Sequence, residues 1–280
     1  MVKIVTHPGS AHKDDFLSVC VLLSVLGHAE IHRREATRED IVDPDTYLVD
    51  VGMHYEPEKH NFDHHQDSNL PCSFHLVMQY FGHHETALQM FEWYSHMNSM
   101  DINGPHRTAE NLGIDTNVLF AASSPIDGFI LARFSGLSFM DESHMLYELM
   151  ADLGADLLKI MQKKRERLEK LKQHVQIIEV RHLKAIFSTI GDHPKLSMDR
   201  FLRFLDDPRI AISITPSARG PGWELLRLGD NKMVDFRALA DHPEIRFVHY
   251  NGFVAKTRSL LSQEAVIDLV SQAVLKEPAN

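Results

Sequence analysis

At 280 residues, with 44% hydrophobic and 24% charged side chains, the chain has the composition of a globular protein with room for two cores. Its formal net charge of −10 excludes a general basic surface for long duplex nucleic acid, and leaves a short or single-stranded substrate open. The two cysteines, Cys20 and Cys72, fit neither a disulfide framework nor a zinc finger, and no apolar run approaches a membrane span. With no signal-peptide pattern at the N-terminus, the expectation is a cytoplasmic protein with no membrane partner.

Val2 to Thr6 reads as a short buried strand that Pro8-Gly9-Ser10 breaks. Asp14 to Leu26 reads as a helix with two carboxylates in its first turn, where the dipole suits them. Ala29 to Arg33 is a weak strand, and Tyr47 to Val51 a third, with Asp50 near its C-terminal end. Phe62-Asp63 lies in a short strand or loop beyond it. Ser73 to Phe81 and Thr86 to Met97 have helical spacing, and Asp101-Ile102-Asn103-Gly104-Pro105 reads as a turn. Strands alternating with helices predict an α/β fold whose N-terminal domain, residues 1–150, is built on a parallel sheet. In such sheets ligands gather at the C-terminal strand ends.

Glu142 to about Glu179 reads as one long helical run with a break near Gly154, and residues 151–182 are expected to connect two domains. A homodimer contact through the 153–179 helix is the alternative use of its apolar stripe. Residues 183–280 are expected to form a smaller α/β domain. Ile210 to Thr215 pairs there with Trp223 to Leu228, Phe247 to His249 forms a strand, and a helix from Ser262 to Leu275 closes the chain.

Eight of the 19 histidines fall in the first 65 residues, about twice an even share. His7, His12 and Asp14 follow the first strand, Asp50 ends another, Asp63-His64-His65 follows a third, and Asp101 lies downstream. Carboxylates that bridge and imidazoles that complete each shell are what two hard divalent ions need. On this reading His7, His12, Asp14, Asp50, His64 and Asp101 are metal ligands, Asp50 is the bridging carboxylate, Asp63 orients a neighbouring imidazole, and His65 faces a phosphate oxygen. Each has an ordinary alternative: Asp14 as a helix cap, Asp50 or Asp101 as a turn former, a histidine as a surface group. His83, His84, His144, His174, His182 and His193 read as solvated.

Asp63-His64-His65 with an upstream strand-end aspartate resembles the signature of the DHH phosphoesterases. The match is closer to one branch, the family named after melanocyte proliferating gene one. Thr6 to Asp15 resembles its Thr-His-x-Gly-x-x-His-x-Asp-Glu, with Asp15 in place of the glutamate. Tyr47 to Gly52, Tyr55 to Gln66 and Phe247 to Phe253 resemble its other motifs, whereas Asp101-Ile102-Asn103-Gly104 carries one residue more than its Asp-Asn-Gly. The resemblance implies a two-metal phosphodiester hydrolase, a 3′-5′ exonuclease on RNA or short oligonucleotides, with manganese or alternatively magnesium as the metal. It also implies catalytic roles for Asp63 and His65, and substrate contacts from His65, His249, Asn251, Gly252 and Lys256. The competing readings are an inorganic pyrophosphatase and a metal-bound binding or regulatory protein without turnover.

Overall fold

The apolar run after Lys3 forms strand β1 (Lys3–Thr6), whose Ile4, Val5 and Thr6 are buried. The structure, a computed structural model, describes residues 2–191, 205 and 207–276; His193 lies outside them. Helix α1 (Lys13–Leu26) follows, with Asp14 and Asp15 in its first turn and Gly27 closing it at φ +80°. Next come β2 (Glu30–Arg33), α2 (Arg38–Val42), β3 (Thr46–Val49), β4 (Tyr55–Glu56) and β5 (Asn61–Phe62). The sheet order is β4-β5-β3-β1-β2-β6, with β6 spanning Phe139–Met140. β1 runs parallel to β2 and β3, and β3 parallel to β5, so the expected parallel sheet is present with short antiparallel strands at both edges. All four residues of β3 are buried, as in a sheet covered on both faces.

Five helices lie between β5 and β6: α3 (Ser73–Tyr80), α4 (His84–Met90), α5 (Glu92–Leu112), α6 (Thr116–Ala121) and α7 (Pro125–Ser135). The expected turn at Asp101–Pro105 is instead a kink inside α5. Gly104 leaves the helical region (φ 72°, ψ 172°), and helix resumes from Pro105, whose missing N–H costs nothing at a helix start. Asp101 therefore sits on a helix.

The long helix α8 (Met145–His174) is shorter than expected at its end and unbroken at Gly154. A Cβ on Gly154 would stand 1.9 Å from the carbonyl oxygen of Cys20, so this glycine serves a close approach of α8 to α1. Val175–Val180 is strand β7, not helix, so the helix expected over 151–182 and 153–179 ends at His174. Val175, Ile177, Ile178 and Val180 are branched at Cβ, and antiparallel pairing with β8 (Leu183–Ser188) decides their state.

The chain divides into two units, Met1–Lys163 and Lys164–Asn280. The second unit carries β9 (Ile210–Pro216), β10 (Trp223–Arg227), β11 (Ile245–Val248), β12 (Val254–Thr257) and helix α9 (Gln263–Ser271). Its sheet runs β11-β12-β10-β9-β8-β7, antiparallel except for the β8–β9 pair. The expected β9–β10 hairpin is present, and Ser262 Oγ caps α9 by accepting from the Ala265 N–H. The core of this unit includes Ile212, Ile214, Leu225, Phe236, Val266 and Val270. Among the described residues, no helix is long and apolar enough to cross a membrane.

Candidate metal centre

Three parallel strands deliver side chains to one edge of the first sheet. His7 follows β1, Asp50 follows β3, and His64 and His65 follow β5; the register of β1 on β3 and of β3 on β5 aligns these ends. His12 and Asp14 come from the start of α1, and Asp101 from α5. Asp50 has φ of +57°, a left-handed conformation that aspartate tolerates better than most residues. Strain of this kind is common where geometry serves a site.

Asp50 is the hub. Its Oδ2 lies 3.4 Å from His7 Nε2, and its Oδ1 lies 3.2 Å from His64 Nε2 and 3.6 Å from His65 Nδ1. His64 Nε2 is also 3.2 Å from Asp101 Oδ2, and His12 Nδ1 is 4.0 Å from Asp101 Oδ1. Three overlapping groups have ligand atoms within 4.8 Å of one another: His7, His12 and Asp50; Asp50, His64 and His65; His12, Asp14 and Asp101. All six residues read from the sequence as ligands thus converge, and His65 joins them.

The surroundings hold this set in place. Ser73 Oγ donates to Asp50 Oδ1 at 3.2 Å. Asp63 accepts from the backbone N–H groups of Met53 (2.6 Å) and His65 (3.1 Å), and its Oδ1 is 2.7 Å from His65 Nδ1. His7 Nδ1 lies 2.8 Å from the carbonyl oxygen of Pro8. Donation from Nδ1 there would free Nε2 to ligate a metal ion, the tautomer a ligand needs.

Electrostatics give the same picture. Burial, then the carboxylates of Asp50, Asp101 and Asp15, push the Asp14 carboxyl well above its ordinary value. Burial also pushes Asp15 up to about 6, against the pull of His7 and Arg33. Asp50 is driven up by burial, yet the hydrogen bond from His64 and the charges of His64, His65 and His7 hold it below the usual carboxylate range. Burial pulls His64 down, but Asp101 and Asp50 raise it to about 10. The cluster has an excess of negative charge that cations would relieve.

A metal pair fits this chemistry. Among the described residues, His7 Nε2, both carboxylate oxygens of Asp14 and Asp15 Oδ2 are buried without a hydrogen-bond partner. Orphaned buried acceptors are rare and costly, and carboxylate oxygens with imidazole nitrogens are a donor set that holds divalent metal ions.

The structure brings in residues beyond those read from the sequence as a site. Asp15, seen there only as a motif departure, touches His7 and His12; Ser73 steadies Asp50; Arg33 lies 3.5 Å from Asp15. A serine at the start of a helix and an arginine ending a strand send no sequence signal of such a role. His83, His84 and His182, expected to be solvated, are half-buried: His84 Nδ1 is 3.0 Å from Tyr94 Oη, and His182 Nε2 is enclosed. His144 and His174 are exposed.

Residues 3–85 match a known family model. It is MYG1_exonuc, described as an uncharacterised protein family (UPF0160). The matched residues include His7, His12, Asp14, Asp50, Asp63, His64 and His65, while Asp101 lies beyond them. Among curated proteins none matches the chain. Several solved structures are similar to it, two of them as follows. One is PggH from Vibrio cholerae, a pGpG-specific phosphodiesterase, at 16% identity and a TM-score of 0.29, covering 97% of this chain and 99% of that one. The other is an exopolyphosphatase-related protein from Bacteroides fragilis, at 11% identity and a TM-score of 0.27, covering 97% and 91%.

In the second unit, His249 Nδ1 accepts from the Asn251 N–H at 3.1 Å, and its ring packs on Tyr250 and Phe253. Gly252 has φ of +68°, and a Cβ there would stand 2.1 Å from Asp235 Oδ1, so the turn requires glycine. Lys256 Nζ lies 2.9 Å from Glu224 Oε2, which matches its charge within the sheet.

Proposed function

We propose that this protein is a two-metal phosphodiester hydrolase that shortens single-stranded RNA or cleaves short oligonucleotides from the 3′ end, with manganese as the metal. The observation that carries the reading is Asp50, whose two oxygens face different imidazoles, His7 at 3.4 Å and His64 at 3.2 Å. A carboxylate so placed would bridge two ions. His7, His12 and Asp14 would complete one shell, and His64 and Asp101 the other. Bound there, the ions would supply Lewis-acid polarisation of the phosphate and a water acidified toward neutral pH.

The remaining roles belong to the chain. Asp63 would orient the ring of His65 through the 2.7 Å contact at Nδ1, turning the other ring nitrogen toward a phosphate oxygen. Asp14, Asp50 and Asp101 would keep other anions out of an already negative site, so that only a group neutralised by the ions enters. From the second unit, His249, Asn251 and Gly252 would contact the substrate, and Lys256 would have to exchange Glu224 for a phosphate. The net charge of −10 favours short substrates. A cytoplasmic setting rests on two free, buried thiols, and self-association through the helical part of 153–179 belongs to the same reading.

The test is incubation of the full chain and its Asp50→Ala variant with Mn2+ and a 5′-labelled oligoribonucleotide, with pyrophosphate as a second substrate. Stepwise shortening by the wild type alone supports the proposal. Phosphate release from pyrophosphate with no action on RNA would replace it with a pyrophosphatase. Bound metal with neither product would leave a binding protein.

A further inference from the structure

Arg33, the last residue of β2, is only 3% exposed. Its Nη1 donates to the carbonyl oxygens of Gly9 and Phe134, both at 3.0 Å, and its guanidinium carbon stands 4.6 Å from the Phe134 ring centre. Nη2 lies 3.5 Å from Asp15 Oδ2, close enough for charge pairing and too far for a good hydrogen bond. Nε and Nη2 have no hydrogen-bond partner among the described residues.

Arg33 reaches the loop between the two histidines of the site, and Asp15 reaches both of them. Gly9 lies in the loop that joins His7 to His12, and it holds φ of +81° there. Asp15 Oδ1 accepts from the His12 N–H at 2.8 Å, and its Oδ2 lies 3.5 Å from His7 Nε2. We infer that Arg33 and Asp15 form a positioning pair for the imidazoles of His7 and His12, with Arg33 pinning the loop between them and Asp15 fixing their separation. The inference rests on the two-metal reading above.

Two arguments support it. A buried ion pair with unsatisfied nitrogen and oxygen atoms is a poor device for stability alone, since an apolar pair would serve as well or better. The charges also balance: the carboxylates of Asp14, Asp15, Asp50, Asp63 and Asp101 are cancelled by two dications and one guanidinium. Outer residues that orient ligands typically control metal affinity by about 10–100-fold.

The test is a Mn2+ titration of the metal-free full chain, following free Mn2+ by electron paramagnetic resonance. Each protein's thermal midpoint in chelator is measured in parallel. Arg33→Met and Asp15→Asn should weaken Mn2+ binding by roughly 10–100-fold. Arg33→Lys, which keeps the charge, should recover part of that loss. Wild-type affinity in Asp15→Asn, whatever its midpoint, would overturn the pairing; this isosteric variant decides the matter if Arg33→Met does not fold. A wild type that binds no Mn2+ would instead overturn the two-metal reading itself, so the two failures differ.

Discussion

Replacing Asp14 with asparagine should stabilise the metal-free protein and destabilise the metal-loaded one. Asp14 is 1% exposed, both of its carboxylate oxygens lack hydrogen-bond partners among the described residues, and Asp50, Asp101 and Asp15 surround it with like charge. A buried acceptor left unsatisfied costs about 1–3 kcal/mol, and more when charged. An amide of the same shape removes the charge and offers a donor to the neighbouring carboxylates. The metal-free midpoint should then rise, at roughly 2–4 °C per kcal/mol for a domain of this size. Mn2+ at about 100 times its dissociation constant stabilises a single site by about 2.7 kcal/mol, most of which the variant should lose at the site that Asp14 serves. The assay is thermal unfolding of both proteins in chelator and in Mn2+. A variant that melts lower in both conditions, or keeps the full Mn2+ shift, would show that Asp14 is a structural residue and refute its place as a metal ligand.

Ser73→Ala should cost about 1 kcal/mol by loss of the 3.2 Å hydrogen bond to Asp50, and should weaken Mn2+ binding; unchanged affinity by titration would make Ser73 a bystander. Gly154→Ala should destabilise the first unit by about 1–3 kcal/mol or more in denaturant unfolding, since α8 must move off the Cys20 carbonyl. A gain of the size expected from helix propensity would show that the close approach is not there. The metal-free protein should lose stability as pH rises from about 4 through about 6, because folded Asp15 holds its proton more tightly than the unfolded chain does. Unfolding curves of Asp15→Asn should show a smaller fall, the one that the raised Asp14 carboxyl alone produces. A second loss should follow as pH rises through about 10, where the His64 imidazolium held by Asp101 and Asp50 gives up its proton. An equal pH profile in wild type and Asp15→Asn would remove Asp15 from the account.

Much of the first unit was legible because its signals are local. The apolar run of β1, the acidic first turn of α1 and the strand before Asp50 each follow from residues adjacent in sequence. The second unit's hairpin and the Ser262 cap were readable for the same reason. The turn at Asp101 was half legible: Gly104 and Pro105 do break the helix, but the same residues permit helix on both sides. Strand β7 was not legible as a strand. Its spacing continues the stripe of α8, and only pairing with β8 separates the two states.

By itself, the sequence determined the inventory of the site, because imidazoles and carboxylates after apolar runs must emerge at strand ends, whichever way the chain then turns. Only the tertiary structure decided how they meet. The aligned ends of β1, β3 and β5, the left-handed turn at Asp50 and the approach of α5 bring Asp101 next to His64 although 37 positions separate them. It also decided which neighbours hold them: Arg33, Asp15 and Ser73 act through contacts at a few ångströms that no spacing in the chain encodes.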